Sequence, residues 1–510
     1  MAKKFIIGTR GSLLAVTQTT LIKNLLEEKT QASFEIKTLK TQGDIQTDKP
    51  LWQYDGKDFF TKELDQALLE KKIDLVVHSY KDLGSERPQG IHLAAVTKRE
   101  FAHDILFIKN STISKLSSLD EIIIGTSSPR RIVNIESSLK NFLPNCENKT
   151  IKCKTLRGNV NTRIQKLQND EYHAIVLAFA GCERLCHLDN SKQELELLLK
   201  DLNFMILPQS EFPSSASQGA LAIECLEENS SLKEILKAVH DSQTQKEVAI
   251  EREHFQSYGG GCHLAIGIHA QSFNDGFLLY KKGQTESKQI YERSYSGLDF
   301  LKFFGPYENE KVFLGLPLKK IREKKQNFIY DELIEKLAKP IIQEKHCYFV
   351  TSSYCAESIG PGESFIFASG NKTWKKMAAK GVWVNGSSDS LGHEQITQFQ
   401  KSLLLNIFFK GRLWKVLSHG ESQSEVGEVL EAYERKVLSP KPEFIKRLQE
   451  ASVFFWTSFF QYETYKSHLN PSKKLIHCCG TGKTLEEFQK NKIQVVPIAD
   501  MNQWTQFFKG

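Results

Sequence analysis

Three loops of this chain each place hydroxyls and guanidinium groups where a strand gives way to a helix. They are Thr9-Arg10-Gly11-Ser12, then Gly125-Thr126-Ser127-Ser128-Pro129-Arg130-Arg131, then Leu156-Arg157-Gly158-Asn159 with Arg163 four residues on. A helix N-terminus offers unpaired N–H groups and partial positive charge, and arginine forks add bidentate recognition of carboxylate or phosphate. Any one such loop is an ordinary cap beside a solvated arginine. Three together read as a cleft for a ligand with several anionic groups. Two further places suit reaction chemistry. The apolar run Leu75-Val76-Val77 leads through His78, Ser79, Tyr80 and Lys81 to Asp82, which stands at a strand's end where an acid can move protons and stabilise a cation. Taken alone, Asp82 reads more readily as a turn cap or a partner for Lys81. The run Gly259-Gly260-Gly261 ends in Cys262. A lone cysteine is usually a small buried hydrophobe, but three glycines before it favour an exposed loop and make Cys262 a nucleophile or attachment point.

The elements that must hold these groups are short β-rich runs, FIIGTR, FEIKTL, DLVVHSY, HLAAV, IIIGTS, IKCKTL and AIVLAFA, with helical patterns such as TKELDQALLEKK and RGNVNTRIQKLQN between them. Such alternation predicts an α/β chain with largely parallel sheets, whose sites form in the loops leaving the strand ends. At 510 residues and 40% apolar content the chain is long enough for several domains. A formal charge of +7 is mild for this length, and no basic block is interleaved with aromatics, so a nucleic-acid partner is not expected. No apolar run approaches the roughly 20 residues that span a bilayer, and the start MAKKFIIGTR does not read as a secretory signal. The expectation is a cytoplasmic protein with no membrane partner. The ten cysteines lack CxxC pairs or matching histidine spacing, so no metal is expected and most should be buried apolar residues.

The motifs TRGSLLA (9 to 15), GKDFFTKELDQALL (56 to 69), VVHSYKD (76 to 82), GTSSPRR (125 to 131), LRGNVNTR (156 to 163), ASQGALAIE (216 to 224) and GGGCHLAIG (259 to 267) together resemble hydroxymethylbilane synthase (porphobilinogen deaminase) in order and spacing, over about residues 3 to 300. The resemblance implies two periplasmic-binding-protein-like α/β lobes and a small α+β domain. Lobe 1 would comprise 1–100 and 216–238, lobe 2 101–215, and the cofactor-anchoring domain 239–305. It implies a dipyrromethane cofactor linked through Cys262, on which four porphobilinogen units are joined with release of ammonia to give hydroxymethylbilane. Asp82 would handle protons and stabilise pyrrole cations, with Lys81 beside it. Arg10, Ser12, Lys81, Thr126, Ser127, Ser128, Arg130, Arg131, Arg157, Gly158, Arg163 and Arg184 would bind the carboxylates of the growing chain. The sequence departs from the family pattern at LGSERPQG, which lacks the usual proline soon after Asp82, at Asp58 and at Ala265. A monomer is expected.

Beyond residue 306 an internal repeat pairs YFVTSSYCAESI and SGNKTWKKMAAKGVWV with FFWTSFFQYETY and GTGKTLEEFQKNKIQVV. Each half reads as strand, Thr-Ser, helix, then strand, Gly, Lys-Thr, helix. Residues 306–510 resemble uroporphyrinogen-III synthase, a bilobal α/β fold, which would make the chain bifunctional. The resemblance carries over Thr351, Ser352, Lys372, Thr373, Tyr433, Thr457, Ser458, Lys483 and Thr484. The stretches near Val312 and between Gly420 and Tyr433 are compressed, so a domain that is inactive or only binds tetrapyrrole is the alternative. A phosphate-binding loop at GTGKT is disfavoured because His477 stands where that motif needs glycine. From another class, an anion-binding protein of the periplasmic type would need neither Asp82 nor Cys262.

Overall fold

The computed structural model describes residues 4–41, 61–261, 263–274, 276–296, 311–317 and 328–499. The chain is α/β with mixed sheets. It begins with β1 (Lys4–Arg10), β2 (Ser33–Leu39), β3 (Leu75–Ser79) and β4 (Ile91–Val96), then leaves for a second sheet of β5 (Asp104–Lys109), β6 (Glu121–Gly125), β7 (Thr150–Lys154), β8 (Ala174–Ala178) and β9 (Leu202–Ile206). It returns to the first sheet with β10 (Leu221–Leu226). The sheet orders are β2-β1-β3-β10-β4 and β7-β6-β8-β5-β9. In each, the strand that follows the crossing runs antiparallel to its neighbours: β10 against β3 and β4, β5 against β8 and β9. The largely parallel expectation therefore gives way to mixed sheets. Entry from the opposite lobe reverses the strand, a topological fact that apolar patterning does not register.

A long helix, Ser242–Ser257, capped by Asp241, leads to an antiparallel sheet of β11 (Ala265–Phe273), β12 (Gly276–Gln284) and β13 (Gln289–Tyr295). The rest of the chain forms two more five-stranded sheets. One holds β14 (Lys311–Pro317) and β15 (Phe328–Asp331), the chain then crossing by β16 (Ile334–Ala338). The other contains β17 (Cys347–Val350), β18 (Phe365–Ala368), β19 (Gly386–Ser387), β20 (Trp414–Ser418) and β21 (Glu428–Glu431). Strand β22 (Tyr433–Val437) pairs antiparallel with β16 and carries the chain back to β23 (Ala451–Trp456), β24 (Ile476–Gly480) and β25 (Val496–Ile498). The orders β15-β14-β23-β24-β25 and β21-β20-β17-β18-β19 match strand for strand. The internal repeat thus falls on equivalent strands, β17 and β18 against β23 and β24. The two lobes are related by circular permutation because one is inserted into the other.

The sheets that contain β9 and β19 meet edge to edge. The Ile206 N–H donates to the Asn385 carbonyl at 2.7 Å, and Ser210 N–H, four residues on, donates to Asp389 Oδ2 at 2.7 Å. Equal steps along 206–210 and 385–389 mean that the segment continuing β9 and the segment containing β19 run in the same direction. Alternation along the strands then builds one core on each face of the combined sheet. Leu106, Ile124, Val176, Met205, Tyr348, Val350, Ile366 and Ala368 lie on one side; Phe107, Ile175, Leu177, Phe204, Phe349, Phe367 and Val416 on the other. The seam is closed by Trp374 Nε1–H to the Phe142 carbonyl (3.1 Å), Trp383 Nε1–H to the Phe204 carbonyl (3.0 Å), and Glu183, which accepts the Leu403 and Leu404 N–H groups at a helix start. An exposed edge strand invites foreign pairing; here β9 is covered from within the chain.

Trp374 is fully buried at this seam. Trp374→Ala should destabilise by about 3–5 kcal/mol. Calorimetry should show residues 104–212 and 347–432 melting in one transition that moves down as a unit. Two transitions, only one of them shifted, would contradict a shared core.

Candidate functional site

Strand β1 feeds Arg10 and Gly11 into Ser12, whose Oγ accepts the Ala15 N–H (3.4 Å) and starts the helix Leu13–Lys29. Strand β3 lies beside β1 and ends in a tight turn, Tyr80–Asp82. Asp82 is exposed, and its carboxylate receives no hydrogen bond from any described residue. On the facing lobe, β6 ends at Gly125, Pro129 occupies the first turn of the helix Pro129–Ser138, and Arg130 and Arg131 lie buried within that helix.

Both arginines converge on Asp104 at the start of β5: Arg130 Nη1 to Oδ2 at 2.7 Å and Arg131 Nη2 to Oδ1 at 2.8 Å. Gln218, from the segment returning to the first sheet, donates Nε2–H to the same Oδ1 at 2.9 Å and accepts from Lys81 Nζ at 3.2 Å. Burial alone would raise the Asp104 carboxyl, but the two guanidiniums overrule it and hold it far below the usual carboxylate range. Burial pushes the Lys81 ammonium down to about 8, with Arg131 and Arg130 acting in the same direction and Asp82 and Asp104 opposing. Burial, with Arg131 and Arg157, likewise brings Arg163 down to about 10. Among the described residues, Lys81, Arg130, Arg131, Arg157 and Arg163 thus surround two carboxylates, Asp82 and Asp104. The buried Nε–H groups of Arg130, Arg131 and Arg157 find no hydrogen-bond partner among the described residues. Such a cluster is deficient in anions, and carboxylates supplied by a ligand would complete it.

The structure reassigns several expected contacts. The Ser127 hydroxyl donates to the Leu156 carbonyl (2.8 Å) and accepts the Leu156 N–H (3.0 Å), joining two of the arginine loops and leaving no proton for a ligand. Thr126 is buried, and its Oγ1 faces the Ser128 N–H at 3.4 Å. Ser128 is an N-cap residue whose side chain makes no capping bond. Gly158 sits at φ +114°, where a Cβ would meet Thr162 Cγ2 at 2.8 Å, so its role is to turn the backbone. Arg184 is buried and donates to the Gly219 carbonyl at 2.5 Å. Cys262 lies outside the described residues; the three glycines before it have φ of +95°, +64° and +97°, a run that favours glycine at each step. Sequence reasoning missed Asp104 and Gln218. The signal for Asp104 was an aspartate directly before the apolar run at 105–108.

In the C-terminal half the Thr-Ser pairs occupy equivalent places but are engaged by the backbone. Thr351 Oγ1 donates to the Leu417 carbonyl on β20 (2.8 Å), and Thr457 Oγ1 to the Gly315 carbonyl on β14 (3.2 Å). Each threonine stitches together the two strands at which sheet order reverses. Ser352 accepts the Tyr354 N–H (3.4 Å), and Ser458 caps a helix. Thr373 is buried, and Thr484 donates to the Thr457 carbonyl at 3.5 Å. The two Lys-Thr loops do converge: added Cβ atoms on Gly370 and Gly482 would both strike Ser390, at 2.4 and 2.6 Å. Lys372 is exposed, while Lys483 Nζ reaches across the lobes to the Gln423 carbonyl at 3.4 Å. Tyr433 is buried between Tyr354 and His419, and burial pushes its hydroxyl up to about 12. Lys336 stands over its ring, and Arg435 donates toward His419 Nδ1 at 3.0 Å. Neither cation was anticipated.

Among the described residues no helix is long and apolar enough to cross a membrane, and eight of the nine described cysteines are buried. The Asp65, His78 and Glu224 side chains lie close enough together to suggest a metal site, but Arg87 occupies it, bonded to Asp65 (2.5 Å) and Glu224 (2.8 Å).

The family model described as "Porphobilinogen deaminase, dipyromethane cofactor binding domain" matches residues 5–234. The chain is 36% identical over 294 residues to the porphobilinogen deaminase of Fusobacterium nucleatum, covering 57% of this chain and 91% of that protein. It is 40% identical over 273 residues to that of Campylobacter jejuni subsp. doylei, covering 53% and 82%, and 35% identical over 318 residues to that of Francisella tularensis subsp. novicida, covering 61% and 97%. With matches that run nearly the full length of these relatives and a family domain that takes dipyrromethane as its cofactor, the chain belongs to the porphobilinogen deaminase family.

Proposed function

We propose that the cationic cluster facing Asp82 is the site where porphobilinogen units are joined to give hydroxymethylbilane, and that the C-terminal half closes this product to uroporphyrinogen III. The observation behind the first part is the anion deficiency itself. Five cations and three unpartnered buried guanidinium N–H groups fit a ligand bearing a carboxylate-rich pyrrole chain. Arg130, Arg131, Arg157 and Arg163, with Lys81, Arg10 and Ser12 on the opposite lobe, would hold those carboxylates, and Cys262 would anchor the cofactor. Bound there, dipyrromethane supplies the primer to which new units are added. Asp82, unpaired and exposed at the cleft, takes and returns protons and favours positive charge on a pyrrole nitrogen. In this reading lobe 1 is 1–100 with 216–238, lobe 2 is 101–215, the cofactor domain is 239–305, and 306–510 is the synthase-like part.

The second part is supported by two like-ordered parallel sheets joined by a two-stranded ladder, with Tyr433, Lys336, His419, Arg435 and Lys483 gathered between the lobes. In such sheets ligands sit beyond the strand C-termini where order reverses. Because β9 and β19 run in the same direction, both sites open from the same edge of the combined sheet, six strand spacings or roughly 30 Å apart. A fixed second site at that range would take up hydroxymethylbilane at high effective concentration.

Purified protein supplied with porphobilinogen alone should yield, after oxidation, mainly the type III uroporphyrin isomer on chromatography. Type I alone would remove the cyclase assignment and leave the first; no porphyrin from cofactor-loaded protein would remove both. The Lys81 ammonium loses its proton as pH rises through about 8, so the cleft has one positive charge fewer on the alkaline side. KM for porphobilinogen should therefore increase above about pH 8, and Lys81→Met should raise KM at lower pH while abolishing that step. A step that persists in Lys81→Met would assign it to another group.

A further inference from the structure

We infer that Arg252 is a positioning residue for Asp82, fixing the loop that carries this carboxylate to the helix that leads into Cys262; the inference rests on the role proposed above for Asp82. Arg252 lies in the last turns of the helix Ser242–Ser257, ten residues before Cys262. Its Nη1–H donates to the Leu83 carbonyl at 3.1 Å and its Nη2–H to the Gly84 carbonyl at 2.8 Å. The guanidinium carbon stands 4.7 Å from the centroid of the Tyr80 ring. These three residues bracket Asp82, two before it and one and two after it. One turn earlier on the same helix face, Val248 packs with Tyr80 and Leu83 in a small apolar cluster.

The side chain of Asp82 makes no hydrogen bond to a described residue, so only its backbone decides where the carboxylate stands. On one side that backbone is tied to the first sheet through Tyr80 N–H and the Ala220 carbonyl, 3.1 Å. On the other side the segment LGSERPQG has no proline next to the aspartate to stiffen it. Arg252 supplies the missing constraint: a planar fork that binds two successive carbonyls while its face rests on an aromatic ring, an arrangement lysine cannot fully reproduce. Asp82 is thereby held from two sides, by the first sheet and by the helix Ser242–Ser257. A displacement of about 1 Å at a reacting group lowers a rate by about a hundredfold, so the constraint bears on turnover more than on substrate affinity.

The test uses the full chain, with cofactor loading verified by the mass of the intact protein, and compares Arg252→Met, Arg252→Lys, Tyr80→Leu and Asp82→Asn. Arg252→Met should lower kcat by about tenfold to a hundredfold with KM for porphobilinogen unchanged. Arg252→Lys should recover part of that loss, and Tyr80→Leu, which removes only the ring face, should fall between. Wild-type kcat in loaded Arg252→Met, or a loss expressed in KM alone, would overturn the inference. If Arg252→Met does not fold, the other two variants decide: lowered kcat at constant KM in both supports it, and wild-type kcat in either overturns it. Asp82→Asn separates the underlying assignment, since full activity there would refute the role of Asp82 itself, whereas an inactive Asp82→Asn beside a fully active Arg252→Met would refute only Arg252.

Discussion

A single buried carboxylate, Asp104, makes the cationic cleft possible. Two guanidiniums placed side by side in a protein interior repel one another and have lost their water, and removing the counter-charge of such a group is destabilising by several kcal/mol. Asp104 gives each of them one oxygen, and through Gln218 it reaches Lys81 on the other lobe. The same residue opens β5, so the crossing between lobes and the neutralisation of the arginines are one feature. Among the described residues, what remains after this pairing is still an excess of positive charge, and the proposed recognition of a polycarboxylate rests on it.

The crossing region is reinforced by a second buried network. Arg99 binds both oxygens of Glu251 at 2.8 and 3.0 Å and the Gln218 carbonyl at 2.9 Å, while Glu251 also accepts the Ser217 and Ala270 N–H groups. Lobe crossing, the helix Ser242–Ser257 and the antiparallel sheet are thereby held about one point. Ser217 at φ +65° and Gly219 at φ +93° turn the chain there, and a Cβ on Gly219 would stand 2.5 Å from the Glu100 carbonyl.

The C-terminal half is joined to the second sheet by a core on each face, and a seam of this kind differs from a tether. Whatever moves lobe 2 also moves the inserted C-terminal lobe. Glu211 extends the connection to a third body, binding Lys282 at 3.0 Å and Arg293 at 2.9 Å from the antiparallel sheet and Lys375 at 3.4 Å from the C-terminal half. Burial would raise this carboxyl, but its three cations hold it below the ordinary range.

The sequence by itself determined the local units: strand, polar loop and helix start at residues 9–13, 125–130 and 156–163, the position of Asp82 at a strand's end, and the repeated Thr-Ser and Lys-Thr segments. Each follows from alternation, capping or glycine conformation within a dozen residues, and such constraints survive any arrangement of the rest. Only the tertiary structure decided what the side chains at those places do. Ser127, Thr351 and Thr457 look like ligand donors in sequence, yet their hydroxyls bind backbone carbonyls from strands or loops 29, 66 and 142 residues distant. Gln218 and Arg252 carry no local signature because their hydrogen-bond partners lie from 114 to 169 residues away; Asp104 shows only as an aspartate opening a strand, and its arginine partners lie 26 and 27 residues on. The reversal of β5 and β10 and the joining of β9 to β19 depend on which sheet edges meet, and edge pairing is set by burial across the whole chain, which no short window of sequence contains.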